Sequence, residues 1–415
     1  MAEEISIIPR SLAGAISTAL TDTPVICLLG PRQSGKSTLV QQLRPDRAYF
    51  DLDDDDLAAT AAADPSGFIK ALPERVTLDE IQRVPELLRS IKISVDQKRE
   101  PGRFILTGSA NLLLLPRASE SLAGRMEILQ LHVLTESEKA RTAGSFLQVL
   151  LAGEFEEEIR SSEDSDPLCL ARRLISGGYP SAIIRRQERA QVWHRQYLQT
   201  MMERDIHDVA RIRDSTQLHR LLEKIAHPSA GLLNSSALSR DLGIDRDTVN
   251  HYLDVLEKLF LIRLLPAWHR NRGKRLVKSP KSHFLDTGLA ATLMELQPSD
   301  WNTRRSEFGC LLESFVVQQL MAQAGWTDSA LKFWHYRDRD QKEVDCVITR
   351  GSAVWGVEVK TARSVSRSDC KGLQCLAEQA GADFVCGIVF YAGENTLRLG
   401  DDRFFAVPLS KLWEM

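Results

Sequence analysis

"PVICLLGPRQSGKSTL", residues 24–39, decides the fold of the first third of the chain. An apolar run of strand length, Val25 to Leu29, leads into Gly30-Pro31-Arg32-Gln33-Ser34-Gly35-Lys36-Ser37. That octet fits the pattern Gly, four residues, Gly-Lys-Ser/Thr in full, and a helical pattern, "KSTLVQQL", follows it. Strand, glycine loop, helix is the order in which backbone N–H groups wrap phosphates while a helix N-terminus favours their charge. The expected nucleotide-binding set is Gly30, Pro31, Arg32, Gln33, Ser34, Gly35, Lys36, Ser37 and Thr38. Lys36 is expected on the β- and γ-phosphates of ATP, and Ser37 on a Mg²⁺ ion.

Further along, "RVTLDEIQ" (75–82) ends an apolar strand in Asp79-Glu80. Asp79 is suited to hold the Mg²⁺ shell, and Glu80 to polarise a water for attack on the γ-phosphate. "RFILTGSAN" (103–111) ends in Thr107, Ser109 and Asn111, which either sense the γ-phosphate or cap a helix. Asp51 and Asp53 in "YFDLDDDD" belong either to the site or to a solvated turn. Strand and helix patterns alternate through residues 1–135, which predicts an α/β domain with a mainly parallel sheet.

The chain has 415 residues, enough for two to four domains at about 100–200 residues each. Apolar content of 43% and charged content of 26% are ordinary for a soluble globular protein. A net charge of −3 means that any nucleic-acid binding must come from local patches. Cysteines 27, 169, 310, 346, 370, 375 and 386 form no CxxC pair, so reduced thiols are expected, without a disulfide frame or zinc site. No basic-then-apolar leader opens the sequence, and no apolar run approaches membrane-spanning length. A cytoplasmic protein without a membrane partner is the expectation. "GEFEEEIRSSEDSDP" (153–167) reads as an acidic connection. The expected divisions are a P-loop domain over 1–152, a helical region over 168–300 with a winged helix-turn-helix near 216–290, and an α/β domain over 303–415.

Taken in order, "GPRQSGKSTL", "YFDLDD", "LDEIQRVPELL", "LTGSANLLL" and "SLAGRMEILQL" resemble the bacterial and archaeal AAA-type (AAA_14) ATPases that carry a DUF4143 C-terminal region. The resemblance continues in "SGGYPSAI" (176–183) and "YLQTMMERDIHDV" (197–209), so it spans nearly the whole chain. It implies an AAA/STAND-like nucleotide domain and a homo-oligomer. In such rings a neighbouring subunit usually supplies an arginine finger, for which Arg125 in "LAGRM" and Arg204 in "MERDI" are candidates.

"NSSALSRDLGIDRDTVNHYLDVLEKLFLIRLL" (234–265) has a helix–turn–helix rhythm. Ser235 or Ser236 is placed to cap the first helix, and Asp245 or Asp247 to start the second. Val249, Tyr252, Leu253, Leu256 and Leu259 share one face of the second helix. Two strands joined by a basic loop are expected next. Arg270, Arg272, Lys274, Arg275, Lys278 and Lys281 lie there with no acid among them, a composition suited to phosphates. Against groove insertion stand Asp245, Asp247, Asp254 and Glu257 on the second helix. Modules of this kind also serve as lids or protein contacts.

Near the C-terminus, Glu313 lies on an amphipathic helix, Glu343 and Asp345 on one strand, and Glu358 and Lys360 on the next. Alternation sets Glu358 and Lys360 on one face, opposite Val357 and Val359. Carboxylates among apolar strand residues are costly to bury unless they bind something. Glu313, Asp345 and Glu358 are therefore candidate ligands to Mg²⁺ or Mn²⁺, which would polarise a scissile phosphate, with Lys360 orienting the attacking water. The set resembles the PD-(D/E)xK nucleases, with a restriction-endonuclease-like fold, although Val344 stands where a Pro often precedes the Asp. The combined expectation is a Mg²⁺-dependent ATPase that binds nucleic acid, DNA in the first instance, and cleaves it under nucleotide control in genome maintenance or defence. The alternatives are a STAND-like signalling or toxin–antitoxin ATPase with a protein partner, and a DNA-binding ATPase with an inactive nuclease-like fold.

Overall fold

The computed structural model describes residues 7–43, 46–109, 122, 124–142, 144–159, 167–205, 215–227, 229–270 and 279–414. The chain divides into two compact units. One runs to Leu134 and includes Lys258–Phe260; the other comprises Thr135–Glu257 and everything from Leu261.

In the first unit, strands β1 (Val25–Leu29), β2 (Ala48–Asp51), β3 (Val76–Asp79), β4 (Phe104–Gly108) and β5 (Met126–Gln130) make one sheet in the order β2-β3-β4-β1-β5. Every pairing is parallel, as the alternating pattern predicts. All five residues of β1 are buried, which is why the strand reads as an unbroken apolar run. The strand order turns at β1, which lies between two strands that come later in the chain. Such a point opens a crevice at the carboxyl ends of the strands, where α/β sheets take their ligands. Gly30 is required there, because a Cβ would come 2.2 Å from the Leu131 carbonyl oxygen. The helix Leu87–Gln97 buries Leu87, Leu88, Ile91 and Val95, a stripe at helical spacing. At the opposite end, the Arg47 guanidinium donates to the carbonyls of Gly102 at 2.6 Å, Val76 at 2.9 Å and Arg103 at 2.7 Å, tying the entries of β3 and β4 together.

The second unit begins earlier than residue 152, the end of the P-loop domain expected from sequence. Helices Glu136–Ala140 and Phe146–Ala152 are fastened to the long helix Arg305–Thr327. Gln319 Oε1 accepts from the Glu136 N–H and Gln323 Oε1 from the Leu147 N–H, each at 2.8 Å. Helix Ser215–Ala226 precedes the pair Ser235–Leu242 and Arg246–Lys258, which turns at Gly243 with φ of 68°. Asn234 caps the first of the pair through its side chain, in place of the serines that follow it. Asp245 takes that part for the second, accepting from the Thr248 N–H at 2.8 Å. Strands β6 (Ile262–Leu265) and β7 (Lys281–Phe284) then pair antiparallel, with Leu265 opposite Lys281.

The remaining strands are β8 (Lys332–Arg337), β9 (Glu343–Arg350), β10 (Ala353–Lys360), β11 (Phe384–Tyr391), β12 (Leu397–Arg398) and β13 (Phe404–Pro408). They form a mixed sheet in the order β12-β13-β11-β10-β9-β8. β8, β9 and β10 pair antiparallel, and β10, β11 and β13 parallel. A parallel neighbour needs a crossover, and the helix Lys371–Ala380 supplies it between β10 and β11. Its Leu373 and Leu376 fill the space that a side chain on Gly356 of β10 would need. The chain after β6 runs alongside β8: the Trp268 N–H donates to the His335 carbonyl at 2.6 Å and the His335 N–H to Pro266 at 2.9 Å. Trp268 joins Tyr336, Val344, Val347 and Leu373 in one core. That docking sets the β6–β7 hairpin beside the six-stranded sheet. Among the described residues no helix is long and apolar enough to cross a membrane.

Candidate functional sites

The glycine loop sits at the carboxyl end of β1. Gln33 and Gly35 adopt positive φ, 59° and 97°, the kind of backbone turn from which anion-binding concavities of N–H groups are built. Lys36 is 4% exposed, and its ammonium donates to the carbonyls of Gly30 and Pro31 at 3.1 Å each. Burial lowers its pKa, against the opposing pull of Glu80 and Asp79. The Ser34 hydroxyl is buried with no partner, an orphan that a phosphate oxygen would satisfy. Thr38 is exposed on the first turn of the helix that follows.

Asp79, at the end of β3, is 2% exposed. Its carboxylate accepts from the Thr107 hydroxyl on β4, from the Tyr49 hydroxyl on β2 and from the Glu80 N–H at 3.1 Å. The Tyr49 hydroxyl also bonds the Ser37 side chain; burial and the bond to Asp79 raise its pKa. Glu80 takes a left-handed backbone, φ 54° and ψ 46°. Its carboxylate accepts from the Gln82 amide, which also donates to Ser109 Oγ at 2.9 Å. Arg32 Nε donates to the same Oγ at 3.4 Å. Asp53 lies within electrostatic reach: burial, then Glu80, raises its pKa. Of the other acids of "YFDLDDDD", Asp51 accepts from the Asp53 N–H, Asp54 caps the next helix, and Asp55 pairs with Arg83 at 2.6 Å.

This donor set fits a nucleoside triphosphate with its Mg²⁺. Loop N–H groups and an ammonium suit the phosphates, a hydroxyl and a carboxylate (Ser37 and Asp79) suit the metal, and a second carboxylate (Glu80) suits the water. Tyr49 is the residue that sequence reasoning passed over, although it shares a face of β2 with Asp51 by simple alternation. Arg125 is not brought to its own loop. It precedes β5 at the entry end of the sheet and pairs with Asp96. Asn111 lies outside the described residues, as does the side chain of Arg204.

In the second unit the acids expected to meet do meet. Glu313 comes from the helix Arg305–Thr327, Glu343 and Asp345 from β9, and Glu358 and Lys360 from β10. At their centre stands the Lys281 ammonium, 3.2 Å from Glu313 Oε2, 3.2 Å from Asp345 Oδ1 and 3.6 Å from Glu343 Oε2. Asp345 Oδ2 accepts from the Val359 N–H at 2.9 Å. Glu358 Oε1 accepts from Lys360 Nζ at 2.6 Å, while its Oε2 is buried with no partner. Burial works against the Lys281 ammonium, but Asp345, Glu313 and Glu343 outweigh it and raise its pKa. Burial and Asp345 push Glu313 well above the usual carboxylate range and Glu358 up to about 8. Burial and Lys281 push His283 down to about 3. Among the described residues no three His, Cys, Asp or Glu side chains are set to hold a metal ion. Glu313 and Asp345 converge with Glu343 on the Lys281 ammonium, whereas Glu358 pairs with Lys360. One expectation is corrected here. Lys281 is 3% exposed, so it is not one of the phosphate-facing cations of the basic run.

Val249, Tyr252, Leu253 and Leu256 of the helix Arg246–Lys258 are buried, as their spacing predicts. The exposed face carries Arg246, Asp247, Asn250, His251 and Asp254, close to charge balance. Of the basic run, Arg270 is exposed, and Arg272, Lys274, Arg275 and Lys278 lie outside the described residues. A cavity of about 710 Å³ lies elsewhere in this unit, lined among others by Arg172, Arg173, Arg305, Arg363, Trp301 and Trp413. The Arg173 guanidinium stacks 4.5 Å from the centre of the Trp413 ring and pairs with Glu136 at 2.5 Å. No local pattern announces this cavity, because its arginines come from distant parts of the chain.

Residues 22–139 match the AAA domain family. Residues 169–300 match a domain of unknown function, DUF8612, and residues 308–412 another, DUF4143. The uncharacterized proteins Rv2008c of Mycobacterium tuberculosis and Mb2031c of Mycobacterium bovis are each 31% identical to this chain over 407 residues, covering 97% of it and 84% of themselves. Among solved structures, the Walker-type ATPase PABY2304 of Pyrococcus abyssi is similar at 16% identity, covering 70% of this chain and 97% of that one, with a TM-score of 0.43. The Thermotoga maritima RuvB Holliday junction branch migration motor is 21% identical, covers 64% and 94%, and has a TM-score of 0.27. AMPPCP-bound DnaA from Aquifex aeolicus is 14% identical, covers 59% and 85%, and has a TM-score of 0.29.

Proposed function

The chain belongs to the same family as these mycobacterial proteins and carries an AAA-type P-loop ATPase domain followed by a DUF4143 domain, and from that premise we propose that it couples ATP turnover to binding of nucleic acid, DNA in the first instance. Mg²⁺ bound with the triphosphate supplies neutralisation of the phosphate charge. The loop N–H groups and Lys36 position the β- and γ-phosphates. Ser37 and Asp79 orient the metal shell, with Thr107 fixing the Asp79 carboxylate. Glu80 takes up the proton of the attacking water, and Gln82 and Ser109 hold Glu80 in place. An arginine finger, Arg125 or Arg204, acts from a neighbouring copy in a homo-oligomer.

The observation that carries the nucleic-acid reading is the module from Ser215 to Phe284. Three helices are followed by a two-stranded hairpin, and the connection between its strands holds Arg270, Arg272, Lys274, Arg275 and Lys278 with no acid. Read as a winged helix, it contacts phosphates mainly through the wing, since the exposed face of Arg246–Lys258 is nearly neutral. The arginine-lined cavity adds cations and aromatic surface of the kind that single strands use. The mixed sheet β8–β13 is read as a nuclease-like fold. The ammonium at its acid cluster favours binding without cutting.

Titration of a labelled duplex at several salt concentrations tests this reading. Affinity should fall steeply with salt, and changing Arg272, Lys274 and Arg275 to Ala should lower the slope of log K against log salt by about one unit per lost phosphate contact. A triple variant that binds as the parent does removes the wing from the interface. A parent that binds no nucleic acid leaves the nearly neutral helix face as a surface for a protein partner.

A further inference from the structure

The cluster of Glu313, Glu343, Asp345 and Glu358 has its cation already. Lys281 Nζ reaches oxygens of three of these acids at 3.2 to 3.6 Å, inside the protein. A divalent ion would bind the same oxygens at about 2.0–2.6 Å, so ammonium and metal compete for one position. The lysine does not arrive from a loose loop. It opens β7, where its backbone pairs with Leu265 and bridges Leu232. The neighbouring β6–β8 contact fixes that hairpin against the sheet that carries the acids. Removing a buried cation from between carboxylates leaves uncompensated charge, which is strongly destabilising unless another cation enters. Glu358 Oε2 is buried without a partner, so a further carboxylate oxygen is at hand for a cation that enters in place of the Lys281 ammonium.

We propose that Lys281 is a built-in cation that replaces the divalent metal of this nuclease-like site. Wild-type protein binds no Mg²⁺ or Mn²⁺ there and does not cut phosphodiesters. A neutral side chain at position 281 opens a cation site formed by Glu313, Asp345 and Glu358. The inference rests on the nuclease-like reading of the sheet and is independent of the binding assigned to the basic wing.

The test uses the nucleotide-free full chain and Mn²⁺, followed by electron paramagnetic resonance and by thermal melting. Lys281→Gln should melt several degrees below wild type, bind one Mn²⁺ more than wild type, and regain its melting temperature when Mn²⁺ is added. Adding Asp345→Asn to that variant should remove the gain. Lys281→Arg, which keeps a cation, should gain nothing. Mn²⁺ binding by wild type that Asp345→Asn abolishes overturns the proposal, and so does a folded Lys281→Gln protein with no gain. If Lys281→Gln does not fold, wild type with ¹⁵N-labelled lysine side chains decides. The protected Lys281 ammonium signal, identified by its loss in Lys281→Arg, should persist at equimolar Mn²⁺; paramagnetic broadening of it overturns the proposal. Salt-dependent DNA binding is measured on the same samples. Its failure beside a normal Mn²⁺ result sinks only the wing reading, and the converse result sinks only this one.

Discussion

Asp79 is fixed on three sides before any ligand arrives, by a strand-end hydroxyl, a tyrosine and the next backbone N–H. The Glu80 carboxylate, one residue on and past the strand end, accepts from an amide side chain, that of Gln82, which suits it to face a water. The two carboxylates therefore do different work, and substitutions should separate them. Glu80→Gln should bind ATP with little change and turn it over about 10²–10⁴-fold more slowly, since only proton transfer is lost. Lys36→Ala should lose ATP binding and turnover together. Equilibrium binding of a fluorescent ATP analogue beside steady-state hydrolysis checks both; hydrolysis by Lys36→Ala at the parent rate would remove the loop from the active site.

At the scale of elements, a motif was legible wherever its residues are neighbours in the chain. Strand, loop and helix from Val25 to Leu43 follow directly from an apolar run, two glycines and a helical stripe. The two helices around Gly243 and the hairpin after them were legible for the same reason. Lys281 was not, because its partners lie 32 and 64 residues away and its neighbours in sequence are solvent-seeking cations. Only the docking of the hairpin on the sheet turns it inward. Glycines at element contacts offer a comparable test. A Cβ on Gly372, in the first turn of Lys371–Ala380, would lie 1.8 Å from the Glu343 carbonyl oxygen. Gly372→Ala should cost about 1–3 kcal/mol of stability and displace the start of β9. Gly309, within the helix Arg305–Thr327, has nothing within 4 Å of such a Cβ. Gly309→Ala should gain about 0.5–1 kcal/mol. Urea titration of both variants gives the comparison, and equal effects of the two would show that the close approach at Gly372 does not matter.

For the whole molecule, the buried acids predict how stability depends on pH. The Glu358 pKa is raised to about 8 in the native state, so protonation favours folding. Its contribution is complete below the ordinary carboxylate range and is lost as pH rises through about 8. His283 works the other way at low pH, because its depressed pKa costs stability only below the ordinary histidine range. Between about pH 6.5 and 8.5 the wild type should lose about 2 kcal/mol relative to Glu358→Gln, the difference cancelling other titrations. A parallel pair of stability curves would remove Glu358 from the account. The left-handed backbone at Glu80 bears on the molecule as a whole in another way. An L-residue held there costs about 1 kcal/mol that glycine would not. A population of variants screened for heat tolerance alone would drift toward glycine at this position and become hardier enzymes that no longer turn over. Durability and catalysis compete for one residue, and the carboxylate persists only while selection asks for work as well as endurance.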